Sequence, residues 1–578
     1  MEWIEPSPID SPAPLPDLHP LVAQTLLRRG LRTPAAANAF LDPQAYSPTP
    51  AASLPGLSSI VDRLEEAIHD QRCICVWGDF DADGQTSTTI LVQTLQDLHA
   101  EVVFHIPVRE NESHGVNQLY LQQVIDLGAR LILTCDTGID TPAEVVDYAR
   151  ARGVDLLITD HHDLPELLPK VTAITNPKLL PQDHSLSSLS GSGVAYKLAE
   201  ELYARFGRPG EATRQLDLAA LGLVADLARL SGDARYLVQR GLEVLKNTQR
   251  LGLQTMMEMA ELAPANLTEE HIGFVLAPRL NALGRLADAN PAVELLTTSD
   301  PMRARLLATQ LEGLNTQRQL LCNQVTRAAE AQLREDPYLQ EQPVLVLGHP
   351  TWPGGVVGIV ASRLVDRYHK PAIVFSTPDG QPARGSARSV EGLNITVAIA
   401  AQKELLLTFG GHPMAAGLSL EKEKLDEFRR RLSSTVTEMM QGVQTERCLE
   451  IDGWLSLPEA SMELAAALES LAPYGPGNEK LTLATSGLKI QSRTSIGRNQ
   501  EHLKLNVSDD FGNSRTVLWW NGAGEKDALP EGRLDLAYSL RASDWRGTPQ
   551  VQMEFVDLRS VAGQPVEVKT SQLEVIDY

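Results

Sequence analysis

Between residues 73 and 163, short apolar runs alternate with amphipathic stretches, and this alternation constrains the fold more than any other feature. The runs are rich in β-branched residues and lack a helical period, which is typical of strands; they read CICVWG, EVVFHIPV, LILTCDTG and VDLLITD. The stretches between them carry apolar residues at helical spacing. Strands that alternate with helices predict a parallel sheet covered on both faces, and therefore an α/β fold.

Acidic residues and histidines cluster where these predicted strands end. The carboxyl ends of parallel strands share one edge of a sheet, where ligands bind in such folds. We therefore expect one site, although Asp and Gly are also common turn formers and an ordinary turn is the alternative for each motif. The clustered residues are Asp79, Asp81, Asp83, Asp136, Asp160, His161, His162 and Asp163.

Asp226 lies further along the chain, in an apolar segment among Val, Ala and Leu residues. An unpaired buried carboxylate is costly, and a bound metal would offset that cost; a helix cap is the alternative role. Carboxylate oxygens with one or two imidazoles are the ligands expected for Mg²⁺ or Mn²⁺ rather than for thiolate-bound zinc. The sequence thus predicts two ions roughly 3.5 to 4 Å apart, which together activate a water and neutralise phosphate charge.

Composition sets outer limits on the class of protein. A chain of 578 residues should form several domains, and 43% hydrophobic with 22% charged residues indicates a globular protein. The five cysteines are scattered, without the spacing of a zinc site or a disulfide framework, and the Pro-rich N-terminus has no apolar core, so we expect a cytoplasmic protein without membrane contact. The net charge of -23 argues against diffuse attraction of nucleic acid but leaves room for a local basic groove.

The motifs GDFDADG, CDTG, DHH and VAD resemble, in order and approximate spacing, the four motifs of the DHH phosphoesterase family. Four later segments resemble the second domain of that family, called DHHA1, and a fifth, LAPYGPGN with the β-rich tail after it, resembles an oligonucleotide-binding (OB) barrel. The four segments are APRLNALGRLADANPAVELL, WPGGVVGIVASRLVDRYHKPAIV, RGSARSVEGLN and FGGHPMAAGL.

The resemblance implies a parallel-sheet DHH domain and a DHHA1 domain, joined by a long helix around a cleft, with a C-terminal barrel. It also implies 5′ to 3′ hydrolysis of single-stranded DNA to mononucleotides, dependent on Mn²⁺ or Mg²⁺, in DNA repair and recombination. The expected division is an N-terminal segment (1–54), the DHH domain (55–298), the connecting helix (299–336), the DHHA1 domain (337–444) and the OB domain (445–578).

By the same resemblance, the metal ligands are Asp81, Asp83, Asp136, His161 and Asp226, with Asp79 as a weaker candidate. His162 matches a histidine that contacts metal or the scissile phosphate, and Asp136, His161 and His162 are the expected catalytic residues. The chain departs from the family at Trp77, where many relatives carry a histidine ligand, so one ion is expected to have one ligand fewer. It also has Pro353-Gly354 where WHEG is common in the family.

A phosphate-binding surface is predicted in the second domain. In RGSARS, small residues let the backbone approach a phosphate, while Arg384 and Arg388 can offer forked donors. His412, Arg279, Asn281 and Arg285 would add to it, and the resemblance implies a 5′-phosphate pocket formed by Arg109, Arg279, Ser386 and Arg388. The alternative is that these arginines pair with surface acids.

The C-terminal tail has alternating apolar segments with turn signals between them, as expected for a small barrel. Its tryptophans, Trp519, Trp520 and Trp545, are candidates for stacking on bases, and we expect Trp545 to be the exposed one, with at least one of the adjacent pair in the core. The Arg and Gln residues of the long helix either line a channel for the strand or form a solvated face.

Three functions are in competition. The first is an exonuclease on single-stranded DNA that acts as a monomer, with a RecQ-type helicase and a single-strand-binding protein as further partners. The second is a phosphoesterase for short oligonucleotides or cyclic dinucleotides, which would not need the barrel. The third is a non-catalytic DNA-binding relative, against which the retained ligand residues speak.

Overall fold

The computed structural model describes residues 2–6, 15, 18–109, 112, 115–442, 448–497, 500–545 and 548–561, with backbone alone at 543–545, 548 and 549. Within these ranges the chain forms two α/β domains and a β-barrel. Among the described residues there is no helix that combines the length and the apolar character needed to cross a bilayer.

The first domain is built on a five-stranded sheet in which every neighbouring pair is parallel, in the order β3-β2-β4-β5-β6. The predicted α/β fold is confirmed, and the four apolar runs named above form four of its five strands. The strands are β2 (Ile74–Trp77), β3 (Val102–His105), β4 (Leu131–Cys135), β5 (Asp155–Thr159) and β6 (Ala173–Thr175), after a short N-terminal strand β1 (Glu2–Ile4).

Both faces of this sheet are covered, which explains why its strands are apolar on both sides. Ile74 and Val76 of β2 face one apolar core, while Cys75 and Trp77 face another. The helices up to the end of this domain are α1 (Pro20–Arg28), α2 (Pro34–Leu41), α3 (Leu57–His69), α4 (Ala82–Asp97), α5 (Gln118–Asp126), α6 (Ala143–Ala151), α7 (Gly191–Arg205), α8 (Leu216–Ala225), α9 (Gly232–Lys246), α10 (Leu251–Met259), α11 (Glu269–His271), α12 (Ala277–Leu286) and α13 (Asn290–Thr297). A π-helical turn, Ile272–Leu276, lies between α11 and α12.

A single helix of 35 residues, α14 (Pro301–Glu335), connects the two α/β domains, as the sequence predicts. Asp300 caps its start by accepting from the backbone N–H of Met302 at 2.8 Å. At 1.5 Å per residue such a helix is about 50 Å long, so it spans the distance between the domains across the cleft.

The second domain has a five-stranded mixed sheet in the order β10-β11-β9-β8-β7, in which only β7 and β8 are parallel. In β9, alternate side chains share one face, so Arg384, Ser386 and Arg388 lie on the same side of the sheet. The elements are α15 (Pro337–Glu341), β7 (Leu345–His349), α16 (Gly354–Tyr368), β8 (Ala372–Ser376), β9 (Ala383–Arg388), α17 (Ile395–Ala400), β10 (Leu406–His412), β11 (Ala415–Leu420) and α18 (Leu425–Met439).

The C-terminal strands close into a barrel because β14 pairs with β17 as well as with β15. This confirms the barrel expected from the alternating segments. Its elements are β12 (Cys448–Glu450), β13 (Gly453–Trp454), α19 (Met462–Glu469), β14 (Leu483–Ile496), β15 (His502–Ser508), β16 (Ser514–Trp519), β17 (Arg533–Trp545) and β18 (Thr548–Ser560).

The N-terminal segment packs against this barrel, far from its neighbours in sequence. Strand β1 pairs in parallel with β12, and Leu21 and Leu26 of α1 share one apolar core with barrel residues such as Leu483 and Leu505. This packing could not be predicted from local sequence pattern, because the contacts join residues more than 400 positions apart.

The barrel and the N-terminal segment are fastened to the first domain by Arg235 of α9. Its guanidinium stacks on Phe40 at 3.7 Å and donates to the carbonyls of Leu471, Ala472 and Pro473 at 2.9 to 3.0 Å. Its Nε also donates to the carbonyl of Phe40 at 3.0 Å, so this buried cation makes four hydrogen bonds to backbone carbonyls at the junction and links the barrel to the first domain.

Candidate metal centre and nucleic-acid cleft

The three alternate aspartates lie at the carboxyl end of β2, as predicted, but helix α4 begins earlier than expected. The amphipathic pattern predicts a start at Gln85, whereas the helix begins at Ala82. The reason is that Asp81 is its N-cap and accepts from the backbone N–H groups of Asp83 and Gly84 at 2.9 and 3.0 Å. Residues 78–83, called the acid loop below, therefore consist of a short connection after β2 followed by the N-cap and the start of α4.

Most of the aspartates and histidines predicted from the strand ends converge with Asp226 in three groups, and within each group the ligand atoms lie within 4.8 Å of one another. Asp160 and Asp163 belong to none of these groups. His161 Nε2 lies 2.9 Å from Asp136 Oδ1, and His161 Nδ1 lies 3.7 Å from Asp226 Oδ2. Asp136 belongs to two groups, which is what two neighbouring ions with a shared ligand require. The groups are Asp79, Asp81 and Asp136; Asp83, His161 and Asp226; and Asp136, His161 and His162.

Burial and mutual repulsion disturb the protonation of this cluster. The pKa of Asp81 is raised to about 6 and that of Asp226 to about 8, first by burial and then by neighbouring aspartates. Burial and the same neighbours raise the pKa of Asp136 well above its usual value. Ionised carboxylates held this close repel one another unless a cation lies between them.

The side chains fit divalent ions in one further respect. Asp83 Oδ2 is buried and has no hydrogen-bond partner, although a buried charged oxygen normally has one. Together with the oxygen-rich donor set and a single shared imidazole, this favours Mg²⁺ or Mn²⁺. Asp226 directly follows the last residue of α8 and is the C-cap of that helix, so it also has the position expected from its alternative role.

The second histidine of the DHH motif is held by Asp160, which the metal groups do not include. His162 Nδ1 lies 2.8 Å from Asp160 Oδ1, and the same oxygen accepts from the backbone N–H of His161 at 2.7 Å. Burial lowers the pKa of His162, but the hydrogen bond and charge of Asp160 outweigh it and raise the pKa to about 9. In the absence of metal, His162 is therefore an imidazolium at neutral pH.

His412 reaches this motif from the second domain. Its Nδ1 lies 2.8 Å from Asp163 Oδ2, and its ring lies nearly parallel to that of His162 with centroids 6.5 Å apart. Asp163 also pairs with Lys178. The second domain thus contacts the metal side of the cleft through His412, which was predicted from the sequence as a phosphate-binding residue.

Trp77 contributes no ligand atom. Its side chain is buried in the apolar core under α5 and α6, with its ring centroid 4.5 Å from that of His105 on the neighbouring strand. The group formed by Asp79, Asp81 and Asp136 consequently contains carboxylates only, in line with the missing histidine.

Arginines from both domains meet beside the acid loop. The guanidinium of Arg109 lies 4.0 Å over the ring of Phe80, and Arg388 Nη1 donates to Ser386 Oγ at 3.0 Å. Burial and the positive charges of Arg109, Arg318 and Arg388 lower the pKa of Arg285 to about 10. Arg318, on α14, was not singled out from the sequence because nothing distinguishes it from the other arginines of that helix.

Three other predicted binding residues have different surroundings. Arg279 donates from Nε to Glu312 at 2.7 Å, which agrees with the alternative that these arginines pair with acids. Asn281 Oδ1 accepts from the backbone N–H of Ala82 at 2.9 Å, so it supports the start of α4. Arg384, the second residue of β9, is exposed.

Two large apolar side chains at or beside the C-terminal end of α8 are exposed, and neither was predicted from the sequence. Leu227 directly follows Asp226 and is 70% exposed, and Phe274 on the π-helical turn is 82% exposed. The turn packs beside α8, since a Cβ on Gly273 would contact Val224. Exposed apolar groups beside a polar centre are typical of a surface that receives a ligand.

The two adjacent tryptophans of the barrel have different surroundings. Trp519 stacks on Phe555 at 3.8 Å and packs against the core, while Trp520 is 50% exposed with its ring against His502. One of the adjacent pair therefore does face the core, as predicted. The side chain of Trp545 lies outside the described residues, so its exposure stays a prediction.

Comparisons with known proteins agree with this architecture. Three family models match: the DHH family N-terminal domain at residues 73–224, the DHHA1 domain at 341–438 and the RecJ OB domain at 451–557. Relatives named single-stranded-DNA-specific exonuclease RecJ include those of Bacillus subtilis, 35% identical over 93% of this chain and 68% of its own length, and Escherichia coli, 32% identical over 94% and 97%.

Solved structures give the same result. RecJ of Thermus thermophilus in complex with Mn²⁺ matches with a TM-score of 0.82 and 30% identity, covering 97% of this chain and 79% of that one. The Mg²⁺ complex of the same protein matches with a TM-score of 0.75 and 29% identity, over 97% and 78%. The three domains, the ligand groups and these relatives together place the chain in the RecJ family of single-stranded-DNA-specific exonucleases.

Proposed function

We propose that this chain degrades single-stranded DNA from its 5′ end and releases 5′-mononucleotides. The observation that carries the proposal is the position of Arg109 on the ring of Phe80, within the loop that supplies Asp79 and Asp81. A cationic pocket fixed beside the ligand groups would bind a terminal phosphate next to the bond to be cleaved. That arrangement accounts for both the direction and the size of the product.

Six residues would hold two divalent ions: Asp79, Asp81, Asp83, Asp136, His161 and Asp226. Such ions lower the pKa of an attacking water and stabilise the charge that develops on the phosphate. Asp136 would be shared between them, and Asp160 would position His161 and His162 through its contacts with both backbone N–H groups.

His162 is proposed to donate a hydrogen bond to a non-bridging oxygen of the scissile phosphate. Its Nδ1 is engaged by Asp160, which leaves Nε2 for the substrate. A hydrogen-bond donor held in place in this way favours the transition state, where the phosphate oxygens are most negative. His412, with its ring 6.5 Å from that of His162, would contact the same region of the strand.

The terminal phosphate is proposed to bind Arg109, Arg285 and Arg388, with Ser386 as an additional donor and Arg318 as a further positive charge. Arginines offer forked donors that match phosphate oxygens. Arg384 would contact the backbone further along. Arg279 and Asn281 are proposed to act indirectly, since their side chains are engaged by Glu312 and by the start of α4.

We further propose that the units of function are residues 55–298, 299–336, 337–444 and 445–578, with residues 1–54 acting together with the barrel. The chain would work as a monomer and cooperate with a RecQ-type helicase and a single-strand-binding protein. A phosphoesterase for short substrates and a non-catalytic binder are the less favoured alternatives.

The test is incubation of the protein and Mn²⁺ with a long single strand labelled at its 5′ end. Early release of labelled mononucleotide is expected, whereas a strand labelled at its 3′ end should shorten gradually. Activity confined to short substrates would support the first alternative, and binding without hydrolysis the second. The same strand annealed to its complement is the control for single-strand specificity.

A further inference from the structure

The first turn of α7 contacts a proposed metal ligand that is more than 100 residues away in sequence. Ser190 Oγ donates to Asp83 Oδ1 at 2.9 Å, and the backbone N–H of Ser192 donates to the same oxygen at 3.0 Å. All three residues are buried. Neither serine belongs to a ligand group, so this turn supports the metal centre without joining it.

The two oxygens of the Asp83 carboxylate consequently have different surroundings. Oδ1 accepts two hydrogen bonds from the start of α7, while Oδ2 is buried and has no hydrogen-bond partner. Asp83 Oδ2 lies 3.9 Å from His161 Nε2, on the side of the group completed by Asp226. The carboxylate is thus held in one rotational state, with a single oxygen left for an ion.

Glycines allow the helices to approach this closely. A Cβ on Gly222 of α8 would overlap Asp83 Oδ1 and Ser192 Oγ, and a Cβ on Gly191 would lie 2.6 Å from Asp136 Oδ1. Contacts this short displace one of the groups involved. The backbones of α7 and α8 therefore lie directly against the carboxylates of Asp136 and Asp83. A residue larger than glycine at position 191 or 222 would displace these carboxylates.

We propose that Ser190 and the first turn of α7 are positioning elements that determine the affinity of the ion bound by Asp83, His161 and Asp226. By fixing Oδ1, they remove the rotational freedom that Asp83 would otherwise lose when the ion binds. Groups that hydrogen-bond to metal ligands typically change metal affinity about 10- to 100-fold. The inference rests on the proposed two-ion centre and assigns to Ser190 an effect on one of its ions.

The proposal is tested by titrating metal-free protein with Mn²⁺ and following free Mn²⁺ by electron paramagnetic resonance. Ser190→Ala removes the hydroxyl donor and is expected to weaken one of the two binding steps about 10-fold or more, with the other step unchanged. Ser190→Thr keeps a hydroxyl and should restore most of the affinity. Ser188→Ala is the matched control, because the Ser188 hydroxyl reaches only Ser231, at 3.4 Å.

Ser190→Gly provides a second variant without the hydroxyl if Ser190→Ala does not fold, since glycine is tolerated before the first turn of a helix. The inference is overturned if the wild-type protein binds two ions and a folded Ser190 variant binds both of them with unchanged affinity. So would an equal loss at both binding steps. Failure of the wild-type protein to bind Mn²⁺ would instead refute the proposed metal centre, so the two failures can be told apart.

Discussion

The guanidinium of Arg109 stacks on the ring of Phe80, which stands between the ligand candidates Asp79 and Asp81. The residue proposed to bind the terminal phosphate is thereby attached to the loop proposed to bind the ions. For Arg109, the distance between the two functions is fixed by one side-chain contact, whereas for Arg388 it depends on the relative position of the two domains.

Shortening Phe80 should uncouple end recognition from cleavage. In Phe80→Leu the cation loses its aromatic face, an interaction that contributes about 0.5 to 2 kcal/mol. We expect a smaller preference for 5′-phosphorylated over 5′-hydroxyl strands, with Mn²⁺ affinity unchanged. Competition binding with the two strands measures the first quantity, and an unaltered preference would show that the stacking plays no part.

Asp136→Asn should abolish hydrolysis and leave the binding of single-stranded DNA within a few fold. Asp136 has a positive φ of 61°, a conformation that asparagine tolerates well, so the variant should keep the fold. Single-turnover hydrolysis and fluorescence anisotropy measure the two effects. Retained turnover with loss of binding would contradict the assignment of Asp136 to the metal centre.

Arg388→Ala should weaken the binding of a 5′-phosphorylated strand more than that of a 5′-hydroxyl strand. Hydrogen bonds to charged groups contribute about 1.5 to 3 kcal/mol, which corresponds to roughly 10- to 150-fold in affinity for the phosphorylated strand. Arg367→Ala, which removes an arginine paired with Glu330, is the control. Equal losses for both strands would rule out a terminal-phosphate role.

The buried carboxyls of the metal centre should contribute less to the stability of the metal-free protein as pH rises from about 4 to 8. Burial lowers the pKa of His161 to about 4, which opposes this effect below about pH 6.5. The pKa values of Asp81 and Asp226 are raised from 3.8 to about 6 and about 8, so above pH 4 the unfolded chain releases protons that the folded protein still holds. Each unit of pKa difference corresponds to about 1.4 kcal/mol. Bound Mn²⁺ keeps these carboxylates ionised and cancels the loss.

Thermal unfolding with EDTA and with Mn²⁺ measures this effect. The difference in Tm between the two conditions should grow from pH 5 to pH 8, and Asp226→Asn should reduce that growth because it removes one of the shifted groups. A difference that stays constant with pH would contradict the prediction.

Phe274→Ala should weaken the binding of single strands without changing Mn²⁺ affinity. A stacked base contributes about 1 to 3 kcal/mol, so a loss of roughly 5- to 150-fold in Kd is expected. Met302→Ala on α14 is matched to it, since Met302 is similarly exposed and apolar. If both variants lose affinity equally, Phe274 has no specific role in binding the strand.

The sheet and the ligand residues of the first domain could be predicted because both depend on local pattern. Alternation of strands and helices fixes a parallel sheet, and the strand ends then bring Asp79, Asp136 and His161 to one edge. The start of α4 was missed by three residues because Asp81 has two roles, as N-cap and as ligand candidate. A composition pattern cannot separate these roles.

Contacts between distant parts of the chain could not be predicted in this way. Arg318 joins the cationic pocket only through the placement of α14, and Ser190 contacts Asp83 only through the packing of α7 against α4. The exposure of Phe274 depends on a π-helical turn, for which the sequence carries no recognised signal. Arg279 and Arg285 have the same residue type and neighbourhood, yet only one is paired with an acid.

The packing of α1 on the barrel has a consequence for how the protein is made. Leu21 and Leu26 leave the ribosome about 460 residues before Leu483, the first residue of barrel strand β14, which at about 5 to 20 residues per second is a delay of roughly 20 to 90 s. Until then the apolar face of α1 lacks these barrel partners and is open to chaperones or to neighbouring nascent chains. The N-terminal segment can therefore complete its packing only after the barrel has been synthesised.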